Sequence, residues 1–234
     1  MNDVGCRSGN SSGGDIQESN KKPLGGGGGN GNGIEPITVQ PFAPNPQNLK
    51  AAIGQKGRSI SVQEAAANAN PFYSTRGAEG DFSENCQRCV VAYELRRRGY
   101  DVVALPTYAG DTLPSRGRWQ GAFQKARTID VGSSNPKTAQ TNLESQMKSF
   151  GNGSRGVVRI PGHVFNVENV GGKIRYVDAQ TNTIYNSNNV FSRLGKKAVN
   201  VQLIRTDNLR ISERAKKSVT PMTDTIKMLI NRKK

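Results

Sequence analysis

The stretch ENCQRCVVAYELRRRGYDVVAL, residues 84–105, reads as a helix that runs through a tight turn into a strand. Cys86, Cys89, Val90 and Tyr93 recur at i, i+3, i+4 and i+7, so they share one helix face. Arg96, Arg97 and Arg98 fill the last turn, where the helix dipole favours cations. On that ground they are expected to be solvated partners of the dipole, with phosphate contact as the other use. Gly99 follows in the position where helices turn left-handed, and YDVVAL is a strand stopped by Pro106.

Downstream, Asn135-Pro136 opens a second amphipathic helix with Leu143, Met147 and Phe150 on one side, closed by Gly151. Three strands follow, GVVRI, HVFNVENV and KIRYVDAQ, the last two joined across Gly171-Gly172. A final strand, VNVQLIR, ends at Arg205. Helix first and antiparallel sheet after predicts an α+β domain. Upstream, Ser61 and Glu64 have the spacing of a capping box and predict a short helix over 61–68; NPFYSTRGAEGDF reads as loop.

Three regions emerge. Residues 1–57 read as an extended arm, because SGNSSGG and LGGGGGNGNG have too little apolar surface to offset the entropy of ordering them. The Pro-rich stretch after them suits an extended peptide lying on another surface, a protein substrate or the proteins of a particle. Residues 58–206 form the domain. Residues 207–234 read as a basic helical tail, with a helix starting at Thr220-Pro221 and carrying Met222, Ile226, Leu229 and Ile230 on one side. Such a tail suits docking on its own domain, a partner, a membrane surface or nucleic acid.

The net charge is +15. The arm has 5 Lys/Arg against 4 Asp/Glu, the domain 20 against 11 and the tail 8 against 3. The positive charge therefore lies on domain and tail, a balance that suits acidic partners as well as solubility. No specific nucleic-acid-binding residues stand out. The N-terminus lacks a basic segment followed by an apolar one, so no Sec signal is expected, and no run is long enough to span a membrane. A virion or a host cytoplasm is the expected location.

Three cysteines, Cys6, Cys86 and Cys89, are too few and too irregular for a disulfide framework. A redox role for Cys86-x-x-Cys89 lacks the preceding strand of a βαβ unit. Zinc would need a second ligand pair beyond Cys6 and His163. The Gly run lacks the Gly-Lys-Ser/Thr of a phosphate loop. No metal and no cofactor is called for.

His163 is the only histidine, so any imidazole base must be this one. It starts a strand after Pro161-Gly162. If Gly171-Gly172 is a two-residue hairpin turn, His163 falls opposite Gln180 and Phe165 opposite Asp178, and all four share a sheet face. Asp178 is then diagonal to His163, at roughly 7–8 Å between backbones. Its carboxylate can accept the imidazole N–H, set the tautomer and stabilise the imidazolium. A cysteine in the first turn of a helix becomes a thiolate readily, because unpaired backbone N–H groups favour negative charge there. Position favours Cys86 as nucleophile and leaves Cys89 to packing.

NCQRCVVAYELRRRGYDVVALP followed by GHVFNVENVGGKIRYVDAQTN resembles the papain-fold toxin domains of bacterial polymorphic toxin systems. These are glutamine-deamidase-like and also accompany phage minor head proteins. The resemblance covers residues 70–190. It implies a papain-like cysteine hydrolase fold, with Cys86 as nucleophile, His163 as base, Asp178 as its orienting partner and Gln180 as the family's trailing glutamine. The chemistry implied is acyl transfer, with Asn85 and Gln87 as side-chain candidates beside the backbone N–H groups of the oxyanion hole. Glutamine deamidase, protease and transglutaminase share its first half-reaction. The expectation is a phage- or mobile-element-encoded, particle-associated amidohydrolase; the alternative is a virion protein that keeps the fold and uses arm and tail for assembly or DNA contact.

Overall fold

The computed structural model describes residues 47–73, 76–77, 80–107, 119–186, 190–191 and 195–223. Its elements in order are α1 (Leu49–Ile53), α2 (Val62–Ala69), β1 (Arg76–Gly77), β2 (Gly80–Asp81), α3 (Cys86–Arg97), β3 (Val102–Ala104), β4 (Ile129–Asp130), α4 (Pro136–Ser149), β5 (Arg155–Ile160), β6 (His163–Val170), β7 (Lys173–Asp178), β8 (Thr183–Asn186), β9 (Gln202–Arg205) and β10 (Val219–Pro221). The architecture is α+β.

Six strands form one antiparallel sheet in the order β4-β9-β5-β6-β7-β8. Its centre is built by two tight hairpins. Gly171 and Gly172 both have positive φ, +61 and +81, as a type I′ turn requires. The expected register follows, with Val170 opposite Lys173 and Asn166 opposite Val177. Pro161-Gly162, with φ +81 at the glycine, makes the type II turn that sets Ile160 opposite His163.

Alternation along the strands separates two cores. Val157, Val164, Val177 and Ile204 face α1, α2 and α3; Val158, Phe165, Val167, Tyr176 and Leu203 face α4. The Asn135 side chain caps α4 by accepting from the N–H groups of Lys137 and Thr138, and Ala139, Leu143 and Met147 bury its inner face. Ser61 caps α2 by accepting from Glu64 N–H at 3.1 Å.

α3 is buried almost all round, between α2, β3 and the sheet, and its arginines are not solvated. Arg96 pairs with Asp101 at 2.8 Å, Arg97 with Glu168 at 2.7 Å and Arg98 with Glu94 at 2.7 Å. Glu94, fully buried, also accepts from Arg155 Nε at 2.9 Å and from the Thr206 hydroxyl at 3.2 Å. The reason for the difference is topological: the helix C-terminus is covered by α1 and the chain after β9, so its cations find carboxylates instead of water. Burial works against charge on Arg97 and Arg155, yet hydrogen bonds and the charges of Glu168 and Glu94 outweigh it and hold both above the ordinary arginine range. Gly99 has φ +96, and a Cβ there would stand 2.6 Å from the carbonyl oxygen of Gly57.

The domain extends beyond 58–206 on both sides. α1 lies in the stretch read as arm, and its Ala52 and Ile53 are buried. Thr220-Pro221 is not a helix start but part of β10, which pairs with β3, and Met222 is buried beside Phe72 and Leu105. A residue before proline is pushed to extended backbone, and proline is tolerated on a strand with a single neighbour. Residues 1–46 and 224–234, with most of the expected arm and the expected tail helix, lie outside the described residues. β1, β2, β4 and β8 lie where the sequence carries no strand signal, the first two within the segment expected to be loop.

Glu94→Gln leaves Arg98 and Arg155 facing one neutral amide. It is expected to destabilise the protein by about 3–5 kcal/mol in urea unfolding.

Candidate active site

The site is assembled where the ends of β6 and β7 meet the start of α3. Cys86 is the first residue of α3, and its sulfur is in disulfide linkage. An odd and irregular cysteine count argues against a framework but not against a single bond. Cys89, one turn deeper, is free and buried. Cys6, the third cysteine, lies outside the described residues.

His163 Nε2 and Asp178 Oδ2 are 2.9 Å apart, both side chains largely shielded from water. With the carboxylate accepting from Nε2–H, the neutral imidazole carries its lone pair on Nδ1. That Nδ1 is buried and has no hydrogen-bond partner among the described residues. The ring lies over Phe165, centroids 6.2 Å apart, at the head of an aromatic file continued by Tyr176 and Phe191. The second oxygen of Asp178, Oδ1, accepts the backbone N–H of Gln180 at 3.1 Å, so both carboxylate oxygens are oriented.

A polar clamp ties this sheet end to the start of α3. Gln180 Nε2 donates to Ser83 O at 2.5 Å. Asn70 and Asn85 exchange reciprocal amide hydrogen bonds at 3.2 Å. Asn70 Nδ2 also reaches Gln180 O at 2.8 Å and Phe82 O at 2.9 Å. Asn85 Nδ2 donates to Leu105 O at 3.0 Å. The loop after Asp178 and the residue before Cys86 are thus held by the same two amides, all fully buried. The backbone oxygen of Asn85 accepts from the N–H groups of Arg88 and Cys89, starting the helix.

Of the residues expected from sequence, His163 and Asp178 are joined directly. Gln180 and Asn85 serve the clamp, and the Asn85 amide is already committed to protein partners. Gln87 is half-buried, and its Oε1 has no partner among the described residues. Asn70, the hub of the clamp, falls in the stretch expected to be loop; the Asn-Pro pair marks a turn but carries no sign of a buried amide.

The two neighbouring cysteines have different environments. Burial, and then the negative charge of Asp178, push the Cys89 thiol well above the ordinary range. Its S–H donates to Asn85 Oδ1 at 3.0 Å, which also favours the protonated form. Cys86 stands at the helix terminus, where the dipole favours a thiolate once the sulfur is free.

Residues 84–183 match the family model described as papain fold toxin 1, glutamine deamidase. The matched segment begins two residues before Cys86 and ends on β8, so it contains Cys86, His163, Asp178 and Gln180. No curated protein and no solved structure matches the chain.

After reduction, iodoacetamide is expected to label Cys86 faster than Cys89 by about an order of magnitude or more, and His163→Ala to slow that labelling. Peptide mapping by mass spectrometry reads both rates; equal labelling overturns the distinction. Asn70→Ala should lower stability by about 1–3 kcal/mol, measured by chemical unfolding, because it removes the buried donor shared by the Phe82 and Gln180 carbonyls.

Proposed function

We propose that this chain, whose residues 84–183 match the papain-fold, glutamine-deamidase toxin family, is a cysteine amidohydrolase that converts glutamine side chains of a protein substrate to glutamate. The observation that carries the reading is the His163–Asp178 pair, with the basic nitrogen of the imidazole left unspent at a sheet end clamped to the helix that Cys86 begins. The description of the matched family supports glutamine among the amides such a site can attack.

Each residue has a role. His163 Nδ1 takes the proton from the Cys86 thiol, and Asp178 holds the resulting imidazolium. The thiolate attacks the side-chain carbonyl carbon of glutamine, and backbone N–H groups at the start of α3 receive the developing oxyanion. The carbon–nitrogen bond breaks, and His163 returns its proton to the leaving ammonia. Water, deprotonated by the same nitrogen, then attacks the thioester. The carbon–sulfur bond breaks, glutamate is released and the thiol is restored. Gln180, through its backbone N–H on Asp178 and its side chain on Ser83, positions the carboxylate and does not touch substrate.

Because the Cys86 sulfur is in disulfide linkage, the reaction requires prior reduction by a thiol or phosphine. The expected outcome is ammonia release from a glutamine-containing protein, with the matching amide-to-acid mass change, only in the presence of reductant. Cys86→Ala should abolish it, and Asp178→Asn should lower kcat on the order of 10³–10⁴-fold. New chain termini in place of ammonia would make the protein a protease. Neither product from the reduced wild type would overturn the hydrolase reading.

A further inference from the structure

A second concave site lies at the opposite end of α3, about 16–18 Å along the helix from Cys86. It is a cavity of about 730 Å³ between α1, the C-terminus of α3, the start of β5 and the chain after β9. Arg97, Arg98 and Arg155 contribute its inner wall, and the exposed Lys56 and Arg210 stand at its rim. The lining carboxylate, Asp207, is already engaged by Arg205 at 3.0 Å.

The charge balance is one-sided. Glu94 and Glu168 offset two of the three inner arginines, and Arg205 offsets Asp207. One inner arginine, Lys56 and Arg210 remain uncompensated. Arg155 spends Nε and Nη2 on Glu94, leaving Nη1 without a protein partner among the described residues. The side chains of Lys56 and Arg210 make no hydrogen bond or ion pair among those residues. Against these donors the cavity sets an apolar wall of Leu49, Ile53 and Ile211, with the half-buried ring of Tyr100 beside it.

We propose that this cavity binds a small phosphate ester with two or more negative charges and an aromatic or apolar body. Its size falls within the usual range for small-ligand pockets, roughly 300–1,000 Å³. The Arg155 guanidinium, held in fixed orientation by the buried Glu94, presents a preformed donor to a phosphate oxygen, and Lys56 and Arg210 add charge at the rim. The apolar wall gives a reason for preferring an ester over inorganic phosphate.

The test is titration calorimetry on the full chain at constant ionic strength, with pyrophosphate and ADP as probes. Both are expected to bind saturably at one site, ADP more tightly. Arg210→Glu and Lys56→Glu, at exposed positions, should each weaken binding by about tenfold or more with no change in melting temperature. Cys86→Ala should bind as wild type does, which separates this site from the hydrolase reading. Absence of saturable binding, or binding that ignores both charge reversals, overturns the proposal. So does tighter, steeply salt-dependent binding of a single-stranded oligonucleotide that ADP does not displace.

Discussion

A helix enclosed by protein on nearly every side cannot leave polar side chains to water. α3 carries Glu94, Arg96, Arg97 and Arg98 on such a helix, and each must find a partner within the fold. The sheet supplies Glu168 and Arg155, and the chain after β9 supplies Thr206 and the carbonyl oxygen of Leu209. Tyr93 and Asn166 complete the seam, the first donating to Glu168 and the second to the Val90 carbonyl. Exchanging such a network for apolar residues need not weaken a protein, but removing one member does, because the rest stay buried and unpaired. The network therefore acts mainly to fix where α3 sits on the sheet.

That placement sets the geometry of the candidate site. Cys86 is the first residue of the same helix, so whatever fixes its far end and its register on β6 also fixes Cys86. The near end is fixed separately by Asn70, Asn85 and Gln180: the two asparagine amides bond each other, and all three donate to surrounding carbonyls. Asp178 is oriented from the same loop, and it in turn orients His163. Cys86, His163 and Asp178 thus lie on three separate elements, and hydrogen bonds shielded from water orient His163 and Asp178. Such preorganisation suits the proposed acyl transfer.

The chain on either side of the matched segment takes part in the fold. α1 and β10 pack against each other and against the same core that encloses α3, and β10 closes the β3 edge. With the chain after β9, α1 also shapes the cationic cavity. One helix thereby separates two sites of different character: an imidazole–carboxylate pair near one end, and unspent cations beside an apolar wall at the other.

Much of this was legible in the sequence where the signal is local. Gly171-Gly172 sets a two-residue turn, and parity then places His163 near Asp178 on one face. Asn135-Pro136 and Ser61 mark helix starts because their capping bonds are made within three residues. What lay beyond reach depended on distant partners. Arg96, Arg97 and Arg98 look like solvated dipole partners until the fold covers them, and Asn70 looks like turn until Gln180 arrives from 110 residues away. Thr220-Pro221 became a strand because β3 offered an unpaired edge. The fate of the Cys86 sulfur was likewise invisible in the spacing of three cysteines. Short-range backbone geometry was written in the chain; the partners of its buried charges, amides and sulfur were decided only when distant segments met away from water.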